Sequence, residues 1–111
     1  MSDKFIKNMD AAAVLPFAEQ VSYQPGQIVS KTLAQNKALS LTLFAFDKGE
    51  FLSEHTAPYD AIVQVLDGVG EVIIDGKSFV LNVGESIIMP ANVRHAVVAT
   101  EQFKMLLTMI K

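Results

Sequence analysis

A chain of 111 residues fits one domain, since single hydrophobic cores commonly form at roughly 100–150 residues and a second would have no room. Half of the residues are apolar and 19% are charged, and the net charge of −3 comes without any run of Lys or Arg; the chain is expected to fold, with neither nucleic acid nor an anionic membrane as partner. The absence of cysteine excludes disulfides, thiolate nucleophiles and thiolate-bound zinc.

At the N-terminus Asp3, Lys4, Lys7 and Asp10 interrupt the apolar residues, so a secretory apolar region is not expected. No window approaches the ~20 apolar residues of a membrane span, and a cytoplasmic protein is the expectation. Asp10-Ala-Ala-Ala-Val-Leu15 predicts one short helical turn, with Asp10 as N-cap and Pro16 as its stop. Residues 1–26 are read as an N-terminal segment packing on a single β-barrel domain formed by residues 27–111.

From Gln27 onward, β-branched and apolar runs alternate with turn residues at short intervals. The predicted strands are Ile28–Leu33, Leu39–Phe46, Ala61–Leu66, Glu71–Ile74, Ser78–Leu81, Ser86–Met89, His95–Ala99 and Phe103–Ile110. This number suffices for an all-β jelly-roll barrel. Asp75-Gly76 is the strongest hairpin signal, because a type I′ turn needs φ > 0 at both central residues. Leu39–Leu43 alternates between apolar and polar residues, whereas Ala61–Leu66 is apolar on both faces except for Gln64. The latter strand should be covered on both sides, by the opposing sheet and by a neighbouring subunit or the N-terminal segment. The core is assigned to Leu41, Leu43, Val63, Val65, Ile73, Ile87 and Leu107, with Met89, Met105 and Met109 as filler.

Two stretches carry chemical information. The first runs Gly49-Glu-Phe-Leu-Ser-Glu-His55-Thr-Ala57-Pro-Tyr59-Asp60-Ala61 and on to Gly68; the second runs Gly84-Glu-Ser-Ile-Ile-Met-Pro90-Ala-Asn92-Val-Arg94-His95-Ala-Val-Val-Ala99. Together they resemble the paired motifs of the cupin family, G-x5-H-x-H-x3-E-x6-G and G-x5-P-x-G-x2-H-x3-N. Gly49, His55, Gly68, Gly84, Pro90 and His95 fall on pattern, while Ala57 and Ala61 stand where the second His and the Glu belong. Asn92 replaces Gly, a mild change because Asn tolerates the left-handed backbone, and Ala99 replaces Asn.

The resemblance implies a small single-domain cupin of the RmlC-like, conserved-barrel type, a double-stranded β-helix or jelly roll whose wide end holds a metal on three His and one Glu. Only His55 and His95 remain of that set. Two neutral imidazoles plus water should hold a divalent transition metal weakly or not at all. Asp60 and Gln64 have the wrong strand parity to restore the set without a bulge.

The two histidines admit two readings. Each is a polar group satisfied by a backbone carbonyl or water, or the two together line a pocket where they orient a carbonyl or carboxylate and move protons. We take His55 and His95 as the candidate catalytic and ligand-binding pair, and as metal ligands only if a metal is bound. Tyr59, Gln64 and Arg94 are added as candidate ligand contacts, and Phe51 with Tyr59 as a candidate pocket mouth. For Arg94 a surface role is the favoured reading, because it should point away from His95 along an ideal strand, and Glu54 reads as a solvated loop acid.

The leading expectation is therefore a small-molecule binding cupin, metal-independent or weakly metal-binding. The alternative is an isomerase, epimerase or lyase using a barrel His as general acid or base, and a metal-dependent dioxygenase is the least favoured. Ala57 and Ala61 predict a cavity wider and less charged than in metal-loaded relatives, suited to an organic ligand rather than a bare cation. A positive mean hydropathy in so short a chain predicts a homodimer, with the strand around Ile28–Leu33 crossing to the partner sheet.

Overall fold

The computed structural model describes residues 5–111. The predicted N-terminal segment is therefore seen only from Phe5, and Asp3 and Lys4 lie outside the described residues. Among the described residues nine strands form two antiparallel sheets: β1 Ile28–Gln35, β2 Leu39–Phe46, β3 Phe51–His55, β4 Asp60–Gly68, β5 Gly70–Ile74, β6 Lys77–Leu81, β7 Ser86–Met89, β8 His95–Val98 and β9 Phe103–Ile110. The larger sheet has the order β1-β2-β9-β4-β7 and the smaller β3-β8-β5-β6. No helix among the described residues is long and apolar enough to cross a membrane.

Alternation along the strands builds the interior. Val63 and Val65 of β4, Val72 of β5, Val97 of β8 and Phe103 and Met105 of β9 are all buried between the sheets, with Phe46 of β2. Phe46 and Phe103 are partners in register and stack with ring centroids 4.7 Å apart. This end of the barrel is tight enough that a Cβ on Gly70 would stand 2.7 Å from the Phe103 ring. Gly68, at φ 72°, has no alternative residue either, because a Cβ there would meet the Gln102 carbonyl oxygen at 2.0 Å.

A second apolar cluster lies on the outer face of the larger sheet. Val21, Leu33, Leu43 and Ala45 are buried there, flanked by Met9, Tyr23, Leu41, Leu66 and Leu106. The N-terminal segment supplies the cover: the Lys7 amide donates to the Leu33 carbonyl at 2.7 Å, the Asn8 side chain donates to the Thr32 carbonyl, and the Tyr23 hydroxyl donates to Asp67. Leu41 and Leu43 thus pack beneath the N-terminal segment and not inside the barrel. Ile73 is likewise not a core residue; β5 buries Val72 and Gly70, leaving Ile73 on the other face. Leu66 accounts for the doubly apolar character of β4, while Ile62 on its outer face stays exposed.

Two local expectations are corrected. The helical turn is not at Asp10–Leu15 but at Phe17–Glu19, a 3-10 turn starting just after Pro16. A six-residue alanine-rich stretch cannot offset the cost of helix nucleation without a buried face, and Ala12 takes φ 56°, outside the helical region. Pro16, expected as a stop, stands at the N-cap and leads into the turn. The strand absent from the sequence expectation is β3, whose ladder is interrupted by a bulge. The Asp75-Gly76 turn is of the expected kind, with φ 49° and 81°, and joins β5 to β6.

Candidate functional site

The bulge in β3 decides which side chain enters the barrel. Phe51 pairs with Val98 and Leu52 with Val97, but the register then slips by one residue so that His55 stands opposite His95 of β8. In an unbroken ladder Glu54 would have faced His95, and His55 would have pointed outward. With the bulge, Leu52 and His55 both line the cavity, and the Glu54 carboxylate lies 3.7 Å from the Arg94 guanidinium at the surface.

The turn before β8 is tied to the turn before β4. The Asn92 amide donates to the Ala57 carbonyl at 2.7 Å, and Asp60 Oδ1 accepts from the Ala91 amide at 2.8 Å. Asn92 has φ 65°, the left-handed conformation for which the motif otherwise uses Gly. Asp60 is thus a backbone clamp and not a substitute for the missing Glu.

The imidazoles of His55 and His95 meet with Nε2 atoms 3.1 Å apart and ring centroids 4.4 Å apart, nearly perpendicular. Each Nδ1 is held by a carbonyl two residues upstream, His55 by Ser53 at 2.8 Å and His95 by Val93 at 3.1 Å. A carbonyl oxygen accepts only, so each Nδ1 carries a proton. With both rings neutral in that tautomer the two Nε2 lone pairs share the 3.1 Å gap, and with one Nε2 protonated that ring donates to the other. Anything that accepts both lone pairs relieves the opposition: a shared proton, a ligand donor or a cation. Burial lowers the His95 pKa from its ordinary 6.5, the neighbouring His55 lowers it further, and the Val93 carbonyl partly offsets both. His95 is thereby biased toward its neutral form.

The cavity these rings face is lined otherwise by Leu52, Ala57, Ala61, Val97, Leu107 and three methionines, Met89, Met105 and Met109. Its lining contains no carboxylate, hydroxyl or amide side chain. Its volume is about 40 Å³, and the three methionines make up much of its wall. Met89, Met105 and Met109, read from sequence as filler, are its wall; the pairing of Ala61 with both Met89 and Met109 is the register signal that could have shown it.

The other sequence candidates lie elsewhere. Gln64 is exposed on the outer face of β4, beside Ser86 and Leu106. Arg94 is exposed and engaged by Asp75 at 2.8 Å as well as by Glu54; the Asp75 hydrogen bond, with the charges of Glu54 and Asp75, holds its pKa above the usual value. Tyr59 is half-buried with its ring 5.8 Å from Lys111 Nζ, and Phe51 is exposed; neither lines the cavity. The donors required for the three-His, one-Glu metal set are not assembled, since Ala57 and Ala61 offer none and no group of three His, Cys, Asp or Glu converges among the described residues.

The chain matches the cupin domain family over residues 42–111. A conserved protein of unknown function from Streptococcus pyogenes is 37% identical, with a TM-score of 0.96 over 100% of this chain and 97% of that one. A cupin 2 conserved barrel domain protein from Leptotrichia buccalis is 54% identical over 85% of this chain, which spans 46% of its length, with a TM-score of 0.83. A cupin superfamily protein from Desulfitobacterium hafniense is 28% identical, with a TM-score of 0.90 over 95% of this chain and 96% of that one. No functionally curated protein matches the sequence. Motifs, barrel and family match agree, and the chain belongs to the cupin family.

Proposed function

We propose that this cupin is a binding protein for a small carboxylic acid, taken up together with one proton and held at the His55–His95 pair. The observation that carries the reading is the convergence of two Nε2 atoms at 3.1 Å on the wall of an otherwise apolar cavity. An apolar wall with a few convergent polar groups is the usual make-up of a ligand site. A carboxylate arriving with one proton places an N–H or O–H where the two lone pairs otherwise oppose each other. At about 40 Å³ the cavity admits a few non-hydrogen atoms, and the flexible methionines can shift for a slightly longer chain.

A second reading, a small isomerase, epimerase or lyase, is favoured by one feature. Each imidazole is oriented by a carbonyl at Nδ1, which leaves Nε2 free as a base in the manner of an acid–base catalyst. No carboxylate stands behind either ring to stabilise the imidazolium, and this ranks the enzyme below the binding protein.

Titration of the full chain with formate, acetate, propionate and pyruvate, followed by calorimetry and amide chemical shifts, tests the proposal. Saturable binding is expected for at least one of them, lost when both His55→Ala and His95→Ala are introduced, with the fold retained. Binding that survives in the double variant would place the ligand elsewhere. Turnover of a bound carbonyl compound, lost in the same variant, would promote the second reading.

We also propose a homodimer. Ile62 of β4 and Ile88 of β7 are partners in register and exposed on the outer face of the larger sheet, an apolar pair that a second copy would cover. Light scattering at micromolar concentration should give twice the 12.1 kDa chain mass, and a monomer alone would contradict it.

A further inference from the structure

The donor set for divalent-metal chemistry is missing here, and what stands in its place has a preference of its own. Ala61 occupies the position where the family motif has a carboxylate. In the sheet it lies between Met89 of β7 and Met109 of β9, each paired with it in register, and all three line the same cavity as the histidines. A methyl group at the centre with a thioether on either side leaves the sulfurs free to reach across it, since methionine is unbranched and has three rotatable bonds. On the facing sheet, His55 and His95 direct two bare Nε2 atoms into the same space.

These donors are neutral, two of them soft sulfurs and two borderline nitrogens. Oxygen ligands, which Mg²⁺, Ca²⁺ and Mn²⁺ need, are absent from the side chains of the lining. Thioether sulfur and imidazole nitrogen suit monovalent copper. Charge points the same way, because the cost of placing an ion in an apolar cavity grows with the square of its charge, and no anionic ligand is present to offset a second positive charge. The nitrogens are also suitably placed: two imidazole nitrogens each roughly 2.0–2.1 Å from one ion stand about 3 Å apart when the angle at the ion is ~100°. The observed separation is 3.1 Å.

We infer that the cavity is a soft-metal site that takes one monovalent copper ion on His55, His95 and the thioethers of Met89 and Met109. The inference rests on the reading of the histidine pair as the binding locus, and it does not require that a carboxylate bind there too. It departs from the sequence expectation of an organic ligand in preference to a cation, because the methionines supply donors.

The test is anaerobic titration of the full chain with Cu⁺ against a chromophoric Cu⁺ chelator, with Zn²⁺ and Mn²⁺ titrated separately. One Cu⁺ per chain is expected, bound at least about tenfold more tightly than either divalent ion, with X-ray absorption at the copper edge reporting both nitrogen and sulfur neighbours. Met89→Leu with Met109→Leu conserves volume, and should abolish the sulfur signature and weaken Cu⁺ by about tenfold or more, with weak Zn²⁺ binding through the histidines unchanged. Tighter binding of Zn²⁺ or Mn²⁺ than Cu⁺, or a nitrogen-only copper site in the unaltered protein, overturns the inference whether or not the leucine variant folds. Propionate measured on the unaltered chain separates the two proposals. Loss of Cu⁺ binding alone sinks the copper site, and failure of both removes the histidine pair as a binding locus.

Discussion

The two ends of the barrel interior are made by the same strands and could hardly differ more in packing. At one end Phe103 of β9 stacks on Phe46, with Gly68 and Gly70 so close that neither could carry a side chain without displacing a neighbour. Six residues further along the same strand, Met109 stands beside Ala61, and the space between the sheets opens into a cavity with the histidine pair on its far wall. Aromatic rings and glycines fix one arrangement, whereas alanine and methionine tolerate several. On the proposed reading, stability is concentrated where the interior is full and ligand binding where it is not.

The largest expected effect breaks that contrast at its closed end. Phe103→Ala removes a fully buried ring from the stack and should cost about 3–5 kcal/mol, against no more than about 2 kcal/mol for Met109→Ala at the half-buried open end. Urea unfolding of both variants, with unchanged slopes, measures the difference. Equal losses would mean that the open end is as tightly packed as the closed one.

A smaller effect sharpens the comparison through pH. Because the folded state lowers the His95 pKa below 6.5, the unfolded chain binds more protons in the window beneath that value. Stability of the metal-free protein should therefore be full above about pH 6.5 and fall as the pH drops through the interval down to the folded pKa. His95→Ala should flatten this slope. Asp47, whose pKa is lowered by the Gly26 amide first, then by Gln102 and the Lys48 amide, loses its contribution only below its ordinary 3.8, so the two are separable. A slope near pH 6 that persists without His95 would assign it to another group.

The smallest effect is expected from chelation. Both apolar clusters, Met89 included, are packed without a bound ion, so EDTA, which captures divalent ions and holds Cu⁺ poorly, should leave the melting temperature nearly unchanged. A tightly bound ion at a thousandfold excess over Kd adds about 4 kcal/mol to the native state, and a drop of several degrees on chelation would reveal one.

The barrel was legible because its signals are periodic and local. Asp75-Gly76 marks a hairpin by backbone conformation alone, and the strands from Ala61 onward show apolar runs between turn residues. The convergence of His55 and His95 could be read from the paired motifs. What was not legible depends on register and on cover. The β3 bulge reverses the parity of His55 relative to Leu52, and nothing in Phe51-Leu-Ser-Glu-His55 announces it. Leu41 and Leu43 alternate like interior residues, yet their apolar face is the outer one, because Met9, Val21 and Tyr23 from the N-terminal segment supply a second core there. The methionine wall follows only once β4 is aligned with both β7 and β9. Gln64 and Arg94 were polar residues close in sequence to the motifs, and strand parity for the first and a surface ion pair for the second keep them out of the cavity.

The central claim is that two imidazoles, each protonated at Nδ1, present opposed Nε2 lone pairs to a small apolar cavity. Long-range ¹H–¹⁵N correlation of the metal-free, histidine-labelled protein at pH 7.5 tests it most directly, because the chain has only two histidines. Both rings are expected in the Nδ1–H tautomer with no proton on Nε2, and propionate should shift the Nε2 resonances of both together. A stable Nε2–H tautomer on either ring, or Nε2 resonances that ignore every small carboxylate probe, would contradict the account.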